Sequence, residues 1–491
     1  MSQRENEVSA PKEFPGTPSS GGALDRFFKL RQNETTISRE VIAGLTTFAA
    51  MAYILVVNPS ILQAAGMPQA ALVTATAVGA AIASTLMGLM ANFPLALAPG
   101  MGINAFFAFS VCLGMGIPWQ SALGLVFVNG CAFLILSVTG VREEIVNALP
   151  KSLKAAISAG VGLFIAFIGL KNGGLVVASP ATFVTMGDLA TPSVALFGAG
   201  LLITCILVAR RTPAAIIISM AIITVIGLFV PDVKGGMVTQ LPGSFVSLPA
   251  SIEPTFLKLD FTFLFAQPLK AFPVILTLLL VDMFDNIGTL IGVTKRAGLM
   301  DANGYIPGLP RALAADSIAA ILSSLLGTST VVSYVESATG VQAGGRTGLT
   351  AITTAICFLL ALVFTPLILT IPAVAVAPAL VVVGILMFES VREIDVTRFE
   401  ACAPAILTLM AMPMTFSIST GIGLGLITLV AVTLGTAKHQ KKQLVTGEHH
   451  ADVQQEFEQA VPGKGTGLTP FTYGIAIIFL LHFFDRLLLP H

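Results

Sequence analysis

The feature that most constrains this chain is the length of its uncharged stretches. Of 491 residues, 55% are hydrophobic and only 11% charged, against the roughly 25% charged expected of a soluble domain. The 26 Lys+Arg and 26 Asp+Glu cancel and gather at the two ends and in a few short connections. A run of about 18 or more residues with few charges has the length to cross hydrocarbon as a helix, which satisfies every backbone N–H and C=O within the segment. Such runs lie near 41–65, 70–91, 97–114, 118–139, 152–170, 193–209 and 213–230, and then near 270–292, 312–327, 328–345, 347–371, 374–391, 402–416 and 417–436. The spacing predicts an all-α integral membrane protein of about fourteen transmembrane helices, seven on each side of a polar stretch.

The basic residues orient it, because Lys and Arg collect in cytoplasmic connections. Arg26, Lys29, Arg31 and Arg39 precede the first run; Arg142, Lys151 and Lys154 flank the connection after the fourth; Arg210 and Arg211 follow the sixth. Lys295, Arg296 and Arg311 follow the eighth, Arg346 the tenth, Arg392 and Arg398 the twelfth, and Lys438, Lys441 and Lys442 the fourteenth. Every second connection is basic, so the N-terminus is expected in the cytoplasm. An odd number of passes per half makes the second half enter from the opposite side, the inverted-repeat arrangement of many secondary transporters. The expected organisation is a cytoplasmic tail over 1–39, a first repeat over 40–230, an extracytoplasmic loop over 231–269, a second repeat over 270–436, and a cytoplasmic linker with an accessory apolar segment over 437–491. That last segment carries His482, Asp485 and Arg486, and lying on the membrane or crossing it both remain open.

The tail is polar, Pro/Ser/Gly-rich and without a signal-peptide core. Cys112, Cys131, Cys205, Cys357 and Cys402 are scattered in apolar runs with no metal-ligand spacing, and read as buried small hydrophobes. No metal is expected, and no basic run with aromatics points to nucleic acid. His449 and His450 read as solvated loop residues, and Phe106, Phe107 and Phe109 as packing.

A charge at the centre of a membrane helix costs about 2.5 to 3.5 kcal/mol on insertion scales, so each one needs a partner or a purpose. The third run holds Ala98-Pro99-Gly100-Met101-Gly102-Ile103-Asn104-Ala105-Phe106-Phe107, a poor helix at mid-membrane depth, and the tenth holds Gly327 to Gly340, short, β-branched and carrying Glu336. Short broken third and tenth elements, in matching positions of the two halves, are the sequence pointer to a binding site. Asn104 can either cap a half-helix or meet substrate. The eighth run places Asp282, Asp285 and Thr289 on about one helical face, and the ninth adds Asp316. No Lys or Arg lies mid-membrane to neutralise Asp285 and Glu336, so at least one is expected to be protonated for part of a cycle. Asp282 and Asp316 can equally be structural, accepting bonds that hold helices together.

The strings TTFAAMAYILVVNP, APGMGINAFFAF, DMFDNIGTLIGVT, TSTVVSYVESATGVQAGGRTGLTA and MAMPMTFSISTGIGLG, in order between about Phe27 and Gly435, resemble the azaguanine-type (AzgA-like) purine permeases of the nucleobase/ascorbate transporter superfamily. The resemblance implies a core domain (helices one to four and eight to eleven) and a gate domain (five to seven and twelve to fourteen), moving as an elevator, with a homodimer formed through the gate. It implies import of adenine, guanine or hypoxanthine with a proton as the coupling ion, no other cofactor, and no enzymatic activity. The address it implies is a plasma membrane, that of a bacterial inner membrane. The family's eighth-helix acid falls on Asp285, its tenth-helix acid on Glu336 and its third-helix asparagine on Asn104, while Thr289 falls where other branches place a polar or titratable side chain. At Asp285-Asn286-Ile287 the chain departs from relatives that often carry small residues. Ser337 and Thr339, beside Glu336, complete the expected substrate set, and proton coupling is expected at Glu336, Asp285 and Asp282, with Asp316 a structural acid. A purine would then sit between the broken elements, its ring N–H groups on Glu336 and Asp285, its acceptors on backbone N–H.

Two rivals fare worse on the residues. A diphosphate-processing membrane enzyme using Asp282 and Asp285 for Mg²⁺ would need nearby Arg or Lys for phosphate. An anion carrier on the same scaffold would need cations rather than acids at its site.

Overall fold

The computed structural model describes residues 22–139, 149–232, 235–300, 306–446 and 468–488. The first part of the tail, Arg142, His449 and His450 lie outside the described residues, as do the side chains of His482, Asp485 and Arg486.

Among the described residues ten helices are long and apolar enough to cross a membrane, and shorter apolar helices lie at Met101–Gly114, Ala215–Gly227, Phe399–Thr415 and Thr472–Leu481. The protein is a multi-pass helical membrane protein. The fourteen predicted runs become ten long helices, two short ones (Ala215–Gly227 and Phe399–Thr415) and two broken crossings. The crossings are where Pro, Gly and β-branched residues interrupt the helical ladder. Leu97–Pro99 and Val331–Ser333 are strands, paired antiparallel with Leu97 opposite Ser333 and Pro99 opposite Val331. Each is followed by a short helix: Met101–Ala105, which runs into a π-helix over Phe106–Gly114, and Ser337–Gln342. The pairing satisfies backbone groups that an interrupted helix would otherwise leave bare in an apolar medium.

The helices pack in two groups. In the first, Trp119–Thr139 lies on Leu309–Leu326, Gln69–Met90 on Gly348–Ala361, Ile37–Met51 on Gly348–Ala361, and Pro268–Arg296 on Trp119–Thr139. In the second, Lys151–Asn172 runs along Ala373–Met387, Phe399–Thr415 packs on Lys151–Asn172 and on Ile418–Thr446, and Pro192–Ala209 packs on Ala373–Met387 and on Ala215–Gly227. Exchanging the two halves of the sequence turns each of these contacts into another of the set, except that of Lys151–Asn172 with Ala373–Met387, which maps onto itself. Reciprocal glycines permit the closest approaches. A Cβ on Gly88 would stand 2.6 Å from the Gly348 carbonyl oxygen and one on Gly348 2.1 Å from that of Gly88; Gly162 and Gly384 stand in the same relation at 2.7 and 2.3 Å. Small residues at such points are how membrane helices gain packing where lipid offers no hydrophobic drive.

The segment between Ala215–Gly227 and Pro268–Arg296 lies across one end of the first group. Leu257 N donates to Leu325 O, Asp260 N to Gln120 O and Ser247 N to Val363 O, and Thr74 Oγ1 donates to Ala250 O. Hydrogen bonds from Ser121 and Thr262 hold the half-buried Asp260 carboxyl below the usual range.

One expectation is corrected. Cys112 and Cys357 are buried and Cys131 and Cys402 half-buried, but Cys205 is exposed; it shares the apolar outer face of Pro192–Ala209 with exposed Leu202 and Ile206. The last helix, Pro470–Leu488, packs against Ile418–Thr446 and Pro268–Arg296, burying Ile475, Ala476 and Phe479.

Candidate functional site

Glu336 stands at the N-terminal end of the Ser337–Gln342 helix, half-buried. Tyr53 Oη donates to its Oε1 at 2.5 Å. Tyr53 sits at a distorted turn of the span Ile37–Gln63, between Ile37–Met51 and Ile54–Gln63, six residues before Pro59, whose missing N–H loosens the ladder there. Tyr334 Oη donates to the Pro99 carbonyl at 2.6 Å, tying the tenth element to the third. Asp285 and Glu336 lie near enough for one carboxyl to act on the other, and both reach the neutral Tyr53 and Tyr334 hydroxyls.

Asp285 lines a narrow cleft where the two helix groups meet. Val281, Phe284 and Asp285 of Pro268–Arg296 and Gly102 of the third element form one wall; Ile157, Ser158 and Val161 of Lys151–Asn172 and Met387 form the other. A Cβ on Gly102 would stand 2.5 Å from Val161 Cγ1, so only glycine lets the groups close this far. Beyond Asp285 the same helix face continues open through Gly288, half-buried Thr289 and Gly292 to exposed Lys295 and Arg296.

At the other end of the interface the groups are locked by aromatics. The Phe416 ring packs edge-on to Phe109 at 6.0 Å, Phe164 at 5.3 Å and Phe167 at 6.0 Å, with Lys171 Nζ 4.8 Å above it. Phe416 holds φ of 54°, an unfavourable conformation for a bulky residue, and its carbonyl accepts from Ser110 Oγ at 3.3 Å.

Asp282, three residues before Asp285, faces inward instead. It is fully buried and accepts from Asn129 Nδ2 and Thr330 Oγ1, each at 3.3 Å. Asp316 accepts from Asn286 Nδ2, and Asn286 Oδ1 accepts from Ser333 N at 3.0 Å, so this acid holds the tenth-element strand through an amide. Asn104 is fully buried with its Oδ1 accepting from Ser329 Oγ. Ser337 Oγ accepts from Ala96 N at 3.1 Å, and Thr339 Oγ1 donates to the Glu336 carbonyl at 2.7 Å. Phe106 and Phe107 are buried in the core.

The structure therefore brings Asp285 and Glu336 together with two residues the sequence reading passed over, Tyr53 and Tyr334. It sets Asn104, Asp282, Asp316 and Ser337 in the packed layer behind them. A signal for the tyrosines existed: the chain has only 4 Tyr, and a phenol inside an apolar run needs an acceptor for its O–H.

A permease-family model matches residues 38–424. The chain belongs to the nucleobase/ascorbate transporter family, whose members are permeases, not enzymes. It is 45% identical over 405 residues to a putative permease of Methanocaldococcus jannaschii, covering 82% of this chain and 91% of that one. It is 43% identical to the adenine permease AdeP of Escherichia coli, covering 86% and 93%, and 42% identical to the guanine/hypoxanthine permease PbuG of Bacillus subtilis, covering 94% and 99%. Among solved structures it is similar to the transmembrane domain of the cyanobacterial bicarbonate transporter BicA, with TM-score 0.57 at 16% identity over 80% of this chain and 97% of that one. Murine Slc26a9 gives TM-score 0.58 at 11% identity, over 87% and 74%. The last two likenesses concern the fold alone.

Proposed function

We propose that this permease is a proton-coupled symporter that imports purine nucleobases: guanine, hypoxanthine, adenine or more than one of them. The observation that carries the reading is the placement of Asp285 at the cleft between the helix groups with Glu336 close by, in a chain whose relatives include both adenine and guanine/hypoxanthine permeases. A purine presents N–H donors on both of its rings, and charge-assisted bonds to two carboxylates are roughly twice as strong as neutral ones. Thr289 lies on the same helix, while Asn104, Ser337 and Thr339 hold the crossing on which the base rests. A carboxylate beside a bound base is costly to carry through hydrocarbon, and a proton removes that cost; each ligand then favours the other. The bicarbonate and anion transporters that share the fold pose no rival here, because two acids repel an anion.

The fold is a pair of inverted seven-helix repeats, a reading supported by the exchange symmetry of the helix contacts and by the strand pairing of the third and tenth elements. The first packed group is the core and the second the gate, and the core carries the base as an elevator. The open helix face from Asp285 to Arg296 and the aromatic lock at Phe416 support an inward-facing state with the N-terminus cytoplasmic. We place the protein in a bacterial inner membrane as a homodimer joined through the gate.

The test is uptake of radiolabelled adenine, guanine, hypoxanthine, xanthine and uracil by cells lacking their own permeases, with and without a protonophore. Purine accumulation that collapses with the protonophore is the expected result. Purine uptake indifferent to the protonophore would remove proton coupling, and no purine uptake from well-expressed protein would remove the substrate class.

A further inference from the structure

The span Ile37–Gln63 grips the tenth element at two places. One is Tyr53 on Glu336. The other, thirteen residues earlier and so about 20 Å along the helix, is Glu40.

Glu40 is fully buried, and both of its carboxylate oxygens are engaged. Oε1 accepts from Arg346 N at 2.9 Å; Oε2 accepts from Thr347 N at 3.2 Å and from Thr350 Oγ1 at 2.6 Å. Arg346 and Thr347 belong to the connection between the Ser337–Gln342 helix and Gly348–Ala361, Thr350 to the first turn of the latter, and the carboxylate sits at that helix N-terminus, where the dipole favours a negative charge. Arg346 extends the grip the other way: its Nη1 donates at 2.8 Å to Val341 O, in the last turn of the helix that begins beside Glu336, and at 2.7 Å to Gly345 O in the connection. The packing leaves no slack. A Cβ on Gly340 would fall 2.0 Å from Thr47 Oγ1 and 2.6 Å from the Ala43 carbonyl oxygen, and one on Gly345 2.9 Å from Ala43 Cβ. Between Glu40 and Glu336 lies only a six-residue helix seated on glycine against the gripping span.

We propose that Glu40 is a positioning residue for the transport site, fixing Glu336 against Tyr53 by clamping the far end of the element that carries it. The inference rests on the reading that Glu336 binds the base. The three groups that bond Glu40 are all donors, so only a group offering acceptors on both arms satisfies them. Glutamine turns one arm into a donor that faces another donor, at unchanged size.

Two measurements on the purified full-length protein decide it. Hydrogen exchange of the backbone over 331–346 is expected to quicken at least tenfold in Glu40→Gln, while helices remote from the clamp, such as Pro192–Ala209, keep wild-type rates. Unchanged exchange over 331–346 overturns the proposal whatever the substrate proves to be. Binding of radiolabelled adenine and guanine is expected to weaken about tenfold in Glu40→Gln and to change much less when the substitution is made in a Tyr53→Phe background, because contacts acting through one element are not additive. Additive losses, or an unchanged Kd, overturn it. Should Glu40→Gln fail to fold, Thr350→Val removes one donor and is expected to give the same pattern at smaller amplitude. If wild-type protein binds neither purine, the substrate reading fails, and the exchange measurement still decides what Glu40 does.

Discussion

The third and tenth elements occupy matching places in the two halves and meet as paired strands, yet they are built for different work. From Leu97 to Cys112 every residue of the third is buried. Its polar side chains are neutral and bonded within the protein through Asn104 Oδ1 on Ser329 and Ser110 on Phe416, with Asn104 Nδ2 left without a partner among the described residues, and it continues into a nine-residue π-helix. The tenth has a helix of six residues, carries an acid that is only half-buried, and is gripped by the first span at Tyr53 and Glu40. A break in a membrane helix is therefore not a site in itself. On the proposed reading the tenth supplies the acid, Glu336, near Asp285, while the third supplies Gly102 to the wall of the cleft that Asp285 lines.

The sharpest way to break the comparison is Glu336→Gln. The substitution keeps the volume, removes the titrating group and turns half of the acceptor into a donor. Purine uptake is expected to fall about a hundredfold or more, on the scale of a lost charge-assisted bond plus a lost coupling site, and what uptake remains is expected to be flat with pH. Proton-coupled uptake at the wild-type level would end the assignment of the tenth element as the working piece.

Tyr53→Phe asks whether the grip on Glu336 matters as well as the acid. A hydrogen bond to a charged group contributes about 1.5 to 3 kcal/mol, so an increase of about tenfold or more in KM is expected, with the protein folded and inserted. An unchanged KM over the pH range would make the 2.5 Å contact incidental to binding.

Much of this was legible without coordinates, for a physical reason. Hydropathy and charge report which segments can live in hydrocarbon, and the ten long helices fall on ten of the fourteen apolar runs. Asp285 and Glu336 stood out because an acid without local company in an apolar run is costly. Partnership across the fold is what single-chain patterns cannot carry. Asp282 and Asp285 share a helical face in projection, but 60° of rotation puts one against Asn129 and Thr330 and the other on the cleft. Tyr53 was hidden because a tyrosine adds to an apolar run while its hydroxyl, which decides its role, has no hydropathy signature. Glu40 lies at a helix start next to Arg39, where a surface ion pair is the ordinary expectation; only the fold brings Arg346 and Thr350 to it.

The smallest expected effect tests the neighbour of the acid. Ser337 follows Glu336 in sequence, but its hydroxyl is turned to the backbone of the third element, accepting from Ala96 N at 3.1 Å. Ser337→Ala leaves a buried N–H without that acceptor, a loss of about 1 to 3 kcal/mol. The expected outcome is a melting temperature lower by a few degrees, with KM within about twofold of wild type and an unaltered pH profile. If KM instead rose tenfold and the pH profile moved with it, Ser337 would be touching the base, and the boundary between wall and working piece would have to be drawn one residue further into the helix. That boundary is narrow because consecutive residues of a short helix point about 100° apart, so one side chain can serve the crossing while the residue before it meets Tyr53.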